Sequence, residues 1–414
     1  MAENIFPYEL PKNWQWSTLG DVCSLSQGEK LSAKKLPYFN VKYLRGTNEK
    51  NFVEFGNYVE EGSKLILVDG ENSGEIFTVK ENGYMGSTLR ELKIFEAVDA
   101  DFFQYFVSTK KELYRQNKRG SAIPHLNKNL FYSTPIPLPP IDEQKRIVAV
   151  IESLFEKLDA AKSIVQKIID GYELRRAAIL HKAFTGELTK NFRAEHGLTL
   201  DDWQEKTLGE VCQINPPKIS TQNLSDDLDV SFFPMASLSE VEGKITKPHI
   251  KKLGDVKHGY TNFSEGDVVL AKITPCMENG KSAVIEKLVN GIGYGTTEFF
   301  VLRCSKSILN KFLYHLIRGK KFRVEAKAVM AGAVGQLRVP KNFLTNYEMT
   351  LPPINEQKEI VRVLNSLLEK EERTKEFAEK ILSEIDLLKR TILACAFRGN
   401  YSQSSIMNCS RGKM

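Results

Sequence analysis

The stretch from Leu138 to Gly186 occurs twice in this chain. Its second copy, Leu351 to Gly399, aligns without a gap at an offset of 213, and roughly 23 of the 49 positions are identical. Self-similarity of that strength marks a tandem duplication. Whatever the chain folds into must contain the same long element two times.

Each copy opens with Pro-Pro, which an α-helix tolerates only in its first turn, followed by acidic side chains near the positive helix end: Asp142 and Glu143, then Asn355 and Glu356 in the second copy. Apolar residues follow in alternating steps of four and three. They fall at Ile147, Ile151, Leu154, Leu158, Ala161, Val165, Ile168 and Tyr172, and again at Ile360, Leu364, Leu367, Ala378, Ile381, Ile385, Leu388 and Ile392. That spacing is the seam of a coiled coil. Polar residues interrupt the seam at Arg175 in the first copy and at Glu371 and Thr374 in the second, a pattern that fixes register or partner at some cost in stability. Gly186 and Gly399 suit helix termination. Each copy therefore predicts an uninterrupted helix of about 43 residues, about 65 Å long at ~1.5 Å per residue.

A single such run could bury one face in its own domain. Two of them, with further apolar residues off the seam at Val148, Val150, Phe155, Ile164, Ile169 and Leu174, predict helices that pack on each other and keep a face for another protein.

A second pair of landmarks precedes the helices. Trp14-Gln15-Trp16-Ser17-Thr18-Leu19-Gly20-Asp21-Val22-Cys23 matches Trp203-Gln204-Glu205-Lys206-Thr207-Leu208-Gly209-Glu210-Val211-Cys212 at an offset of 189, so the second globule is 24 residues longer than the first. The order is globule, rod, globule, rod. Inside the globules, Lys64 to Val68 and Asp267 to Ala271 read as short strands after Glu-Gly turns, and Leu89 to Ile94 parallels Glu298 to Leu302. Both globules are expected to be mainly β. A helical stretch follows in each, Asp101 to Asn117 and Ser307 to Lys327, and each leads into a small-residue loop, Lys118 to His125 and Ala331 to Arg338.

Those loops mix Gly, Ser, Gln, Lys and Arg. Cations neutralise phosphate, amide and guanidinium forks reach base edges, and glycine lets the backbone approach closely. The candidate DNA contacts are Lys118, Arg119, Ser121, Gln336 and Arg338, with Lys281, Thr296 and Thr297 in the neighbouring glycine-rich turns. A basic loop alone is more often plain solvated surface, and its recurrence before each rod is what raises it. The helix-packing candidates are Ile147, Ile151, Leu154, Leu158, Val165, Ile168, Ile360, Leu364, Leu367, Ile381, Ile385 and Leu388.

Catalytic and cofactor motifs fail on inspection. Asn215-Pro216-Pro217-Lys218 approaches the motif that holds a flipped adenine, but Lys218 stands where a stacking ring is needed, so it reads as a turn. Gly280-Lys281-Ser282 resembles the end of a phosphate loop whose first glycine is replaced by Pro275. Six cysteines without a C-x-x-C pair, and six scattered histidines, give no zinc spacing and read as reduced thiols in a cytoplasm. No metal and no cofactor is expected. The 414 residues are 42% hydrophobic and 27% charged, with no run of 18 apolar residues and no signal-peptide pattern at the start, which argues for a soluble chain of two or three domains away from the membrane. A net charge of +6 permits nucleic-acid binding without requiring it.

Variable globules alternating with duplicated rods, the Pro11 to Trp14 start and the two LPPIxEQKxIV motifs resemble the specificity subunit of type I restriction-modification enzymes, over nearly the whole chain. The resemblance implies an α+β architecture: two mainly β target-recognition domains alternating with two long helices that pair as an antiparallel coiled coil, with pseudo-two-fold internal duplication. The corresponding boundaries are 1–137 and 191–350 for the recognition domains, 138–190 and 351–400 for the helical regions, and 401–414 for a flexible tail. It further implies double-stranded DNA read as a bipartite asymmetric site, two methyltransferase subunits docked on the helices and, in the restricting form, two translocase-nuclease subunits. Methyl donor and ATP would belong to those partners. Antiparallel rods would act as a ruler, because two globules reading one face of B-DNA want centres about one turn, ~34 Å, apart. Two other classes stay open: a coiled-coil scaffold with no DNA role, and a stand-alone adenine methyltransferase, which would need a methyl-donor pocket.

Overall fold

Pro135 opens the short strand that leads into the first long helical region, and Gly186 and Gly399 lie just past the ends of the two. The computed structural model describes residues 7–118, 124–240, 243, 245, 249–333 and 335–401. They form two units, one holding Met1–Lys167 and Ala378–Met414, the other Ile168–Phe377.

In the first unit, strands Cys23–Ser26, Leu89–Ile94, Lys64–Leu67 and Ile76–Thr78 make an antiparallel sheet in that spatial order, and Glu29–Phe39, Phe52–Val59 and Gly83–Met85 close a small barrel. Lys64–Leu67 is buried along its whole length, as a run of alternating sheet contacts on both faces requires. Gln15–Thr18 pairs antiparallel with Pro135–Leu138, so the strand just after the tryptophan landmark clasps the strand just before the first rod. The second unit repeats the plan. Cys212–Ile214, Phe299–Cys304, Val268–Ala271 and Ser282–Val284 form one sheet, His249–Lys252, Asp229–Phe233, Ile292–Gly295 and Thr261–Ser264 a second, and Gln204–Thr207 clasps Glu348–Leu351. The mainly β reading of both globules holds. The helical stretches divide more finely than expected: Ala100–Thr109 and Lys111–Gln116 part at Lys110, and Asn310–Arg318 and Lys320–Ala328 part at Gly319, whose extended ψ of 146° ends the first helix.

The second rod is one helix, Ile354–Ala396. The first is not. It runs Ile141–Asp170, breaks at Gly171 and resumes as Tyr172–Phe184, which corrects the expectation of two uninterrupted helices. Glycine weakens a helix interior by about 1 kcal/mol, and Gly171 lies between the seam positions Ile168 and Tyr172. At this break the Arg175 guanidinium donates to the Ile168 carbonyl at 2.9 Å. Gly186 and Gly399 both take positive φ, +80° and +83°, as terminators should.

Each unit contains halves of both rods. In the first, Asp159 pairs with Lys389 at 2.6 Å and Lys162 with Asp386 at 2.9 Å, numbers that rise on one helix and fall on the other, so the two segments run antiparallel. In the second, Arg175 pairs with Glu371 and the Tyr172 hydroxyl with Glu372, again in antiparallel order. Each globule's core is closed by its own rod's start and the other rod's end. Ile147, Ile151, Ile392 and Phe397 join the first core, where Phe397 sits edge-on to Phe102 and Phe106. Ile360, Leu364 and Ala183 join the second, where Phe184 meets Phe312 at 5.4 Å. Of the seam residues, Ile147, Ile151, Val165, Ile360, Leu364 and Ile385 are buried, Leu154, Leu158, Ile168, Leu367 and Ile381 are half-buried, and Leu388 is 37% exposed.

Candidate nucleic-acid interface

The globules are fastened to the rods by the same side chains in both units. Gln144 is 1% exposed; its Oε1 accepts from the Asp99 amide at 2.8 Å while its Nε2 donates to the carbonyls of Ala97 and Pro139. Gln357 repeats the arrangement with the Leu309 amide and the carbonyls of Ser307 and Pro352. One residue earlier, Glu143 accepts from the Trp14 indole at 3.2 Å and from the Tyr401 hydroxyl, and Glu356 accepts from the Trp203 indole at 2.8 Å. Glu356 is fully buried and also takes the Thr189 hydroxyl at 2.6 Å and the Arg193 guanidinium at 2.5 Å. Sequence reasoning placed these glutamates at the helix dipole. Their partners are the tryptophan landmarks, and only the exact repetition of Trp and Glu in both frames signalled the link.

From those fastenings each globule projects a turn and a loop that meet. In the first unit the Gly70 amide donates to Pro124 O and the Leu126 amide to Val68 O, each at 2.7 Å, which lays the loop after the helices along the turn Asp69 to Gly74. Gly70 and Gly74 have φ of +118° and +98°, conformations that need glycine. His125 Nδ1 lies 2.6 Å from Asp69 Oδ1. Lys118 donates to Glu71 at 2.9 Å, and its side chain is 13% exposed. That hydrogen bond holds the Glu71 carboxyl below the usual carboxylate range. Arg119 and Ser121 lie outside the described residues.

In the second unit the loop closes on itself through Ala331 and Arg338 and docks on the end of strand Val268–Ala271: Val339 N to Lys272 O, Thr274 N to Leu337 O, both 2.9 Å. Arg338 grips Glu298 with both arms of its guanidinium, at 3.0 and 2.9 Å, which lowers the Glu298 pKa. The Glu298 amide in turn donates to Thr296 Oγ1 at 3.2 Å, and Thr297 beside it is exposed. Arg338 holds the Glu298 carboxylate and Thr296 the Glu298 amide, while Gln336, also exposed, lies two residues before Arg338 in that loop. Lys281 does not join them. Its side chain is 14% exposed, and its ammonium is 3.4 Å from Met235 O and 3.5 Å from Glu240.

The arrangement is a set of cations held at rest by carboxylates. A guanidinium in a bidentate grip is aligned and ready to exchange one planar anion for another, which is how Arg engages phosphate or guanine. Two cations in these turns went unremarked in the sequence: Lys272, directly after the buried strand, and Arg90, whose guanidinium donates to Ser87 O at 2.9 Å within the turn Gly86 to Leu89. Asn215 has φ of +53° and its side chain accepts from the Val301 amide at 3.0 Å, so the Asn-Pro-Pro segment is the turn it was read as. Among the described residues no helix is long and apolar enough to cross a membrane.

Comparison with known proteins gives a family from the sequence and a fold from solved structures. The family model for the type I restriction modification DNA specificity domain matches twice, at residues 11–169 and 200–383. The specificity subunit of type I restriction enzyme EcoEI from Escherichia coli is 40% identical over 169 residues, which are 41% of this chain and 28% of that one, so the match spans under a third of that relative. The MjaVIII specificity subunit of Methanocaldococcus jannaschii is 26% identical over 398 residues, 91% of this chain and 92% of that one. Among solved structures, the HsdS subunit from Thermoanaerobacter tengcongensis matches with a TM-score of 0.61 and 22% identity, covering 95% of this chain and 98% of its own; at that identity it speaks for the fold alone.

Proposed function

The chain belongs to the type I restriction modification DNA specificity family, and we propose that it is the DNA-reading subunit of a type I restriction-modification complex. Each globule reads one half of a bipartite, asymmetric site in double-stranded DNA. The paired helices form the coiled coil that sets the unread spacer and docks two methyltransferase subunits, with two translocase-nuclease subunits in the restricting form. The chain carries no catalysis of its own and works in the cytoplasm. The recognition domains run 1–137 and 191–350 and the helical regions 138–190 and 351–400.

The observation that carries this reading is the repeated fastening. Trp14 with Glu143 and Gln144, and Trp203 with Glu356 and Gln357, hold two globules of different interior on the same frame. A frame kept twice around contents that differ is what two readers of different half-sites need. For contact residues we propose Lys118, Arg119, Ser121, Thr296, Thr297, Gln336 and Arg338, with Lys281 in a supporting place.

Co-expression with a methyltransferase subunit in a host lacking adenine methylation, followed by genome-wide mapping of methylated adenine, tests the reading. A split asymmetric motif with a fixed spacer is the expected result. Methylation at a continuous palindrome would mean that the partner reads DNA unaided and this chain is a scaffold.

A further inference from the structure

The second unit contains a cleft of about 930 Å³ between helix Tyr172–Phe184, helix Lys320–Ala328 and the turn at Glu278 to Gly280. Its walls carry Arg176, Arg318, Lys320, Arg323 and Lys375. Arg176, Arg323 and Lys375 meet hydroxyl, carbonyl and ring partners, and the Tyr172 hydroxyl that holds Arg176 is itself bonded to Glu372. Arg176 donates to the Tyr172 hydroxyl at 3.3 Å, Arg323 to the carbonyls of Arg318 and Glu278 at 3.1 and 2.8 Å, and the Lys375 ammonium sits 4.7 Å from the centre of the Tyr172 ring. Arg318 is 9% exposed and donates to Gly280 O and Glu240 O. Burial lowers its pKa, the Tyr314 phenol opposes that, and the charges of Arg176 and Arg323 add to the lowering, so each of those two guanidiniums repels Arg318. Acids also border the cleft: Glu278 is engaged by Lys327 at 2.7 Å, Glu240 lies 3.5 Å from Lys281, Asp170 ends the helix before Gly171 and Glu173 stands in the first turn of Tyr172–Phe184. Bound anionic groups would relieve the guanidinium repulsion.

The walls also say which kind of anion. Leu174 is 76% exposed on one helix and Val324 is 57% exposed on the other, and both line the cleft. A sugar-phosphate backbone has little aliphatic surface to place there. An amphipathic peptide has both components, carboxylates for the cations and an aliphatic side chain for Leu174 and Val324, and the volume lies within the ~300–1,000 Å³ of ordinary ligand sites.

We propose that this cleft is a docking site for an acidic, amphipathic segment of the methyltransferase subunit, which seats an aliphatic side chain between Leu174 and Val324 and sets its carboxylates on Arg176 and Arg323. The proposal rests on the reading that this chain assembles with such a subunit. It locates one contact of that assembly beside the second globule and gives it a charge requirement.

The test is the affinity of the full chain for the methyltransferase subunit, measured by calorimetry at several salt concentrations, for the wild type, for R176E with R323E, and for L174D. The Leu174 position is open, so L174D introduces a carboxylate with little packing to lose, and unfolding curves check that each variant is folded. Both variants are expected to weaken assembly tenfold or more and to flatten its salt dependence, with DNA affinity unchanged once methyltransferase is saturating. Assembly at wild-type strength in folded variants overturns the docking site. So does a loss confined to DNA affinity, which would assign the cleft to phosphate. A wild-type chain that fails to bind the methyltransferase overturns the functional reading itself, and the docking site with it.

Discussion

Arg175 and Glu371, the polar residues that interrupt the apolar seam in the first and second copies of the repeat, are each other's partners: Arg175 Nε donates to Glu371 Oε2 at 2.7 Å. Two irregularities that look independent in the sequence are one interaction in the structure. Their side chains are 37% and 21% exposed, so the direct attraction is screened, and its worth lies in register as much as in energy. Glu371→Ala is expected to cost about 0.5–1 kcal/mol in urea unfolding. Glu371→Arg, which sets like charges together, should cost more. Exchanging both residues should recover part of the loss and not all of it, because Arg175 also serves the Ile168 carbonyl at the Gly171 break.

The two tryptophan fastenings should differ in strength although they share a design. Glu356 is fully buried with Arg193, Thr189 and Trp203 around it, whereas Glu143 is half-buried and, among the described residues, accepts from the Trp14 indole and the Tyr401 hydroxyl. Glu356→Gln leaves the Arg193 charge buried without its counter-ion, at a cost of about 3–5 kcal/mol. Glu143→Gln should cost about 1 kcal/mol, the range of one hydrogen bond. Equal effects of the two substitutions on urea unfolding would contradict this account.

His315 ties the second globule's helix Asn310–Arg318 to its rod, with Nε2 2.8 Å from Asn365 Oδ1, and it is 8% exposed. Burial pulls its pKa down to about 4, opposed by the Asn365 hydrogen bond and assisted by the charges of Arg318 and Arg176. The unfolded chain titrates this group near 6.5 and so binds the extra proton first. Stability is therefore whole above ~6.5 and declines as pH falls toward 4, by up to about 3 kcal/mol. His315→Gln should flatten the slope of stability against pH across that window, measured by denaturant unfolding at each pH.

Arg338 must exchange Glu298 for DNA if it is a contact. Glu298→Gln should therefore raise the affinity of the assembled complex for DNA of any sequence. Arg338→Ala separates two roles: a base contact costs about 1–3 kcal/mol and relaxes one position of the site, and a phosphate contact weakens all sequences alike and reduces the salt slope by about one. If neither substitution moves DNA binding, the loop Ala331 to Arg338 is not part of the interface.

Periodicity and duplication made the frame legible. The second long helix, the strands Lys64–Leu67 and Val268–Ala271, the Glu-Gly turns before them and the terminators Gly186 and Gly399 stand where spacing placed them, because each is a local consequence of residue type. Gly171 is passed over by the same logic, since it lies off the seam, which continues through Ile168 and Tyr172 on either side of it. Pairings were out of reach for a different reason. Lys118 advertises a charge, but its neighbour Glu71 is 47 positions away, and Trp203 meets Glu356 across 153. The sequence displays donors and acceptors singly, and the fold decides which of them are already occupied.

The glutamine fastenings have a consequence for how such a chain can change over generations. Gln144 and Gln357 hold their globules almost wholly through main-chain amides and carbonyls, at Ala97 and Asp99 in one case and Ser307 and Leu309 in the other. A main-chain contact asks nothing of the side chains it touches. Genetic exchange between the tryptophan landmark and the proline pair could therefore install a foreign interior and keep these hydrogen bonds, provided that it still offers rings such as Phe102 and Phe106 to Phe397 and Phe312 to Phe184; on the proposed function, a lineage would acquire a new DNA target by recombination in one step where point mutation would need many.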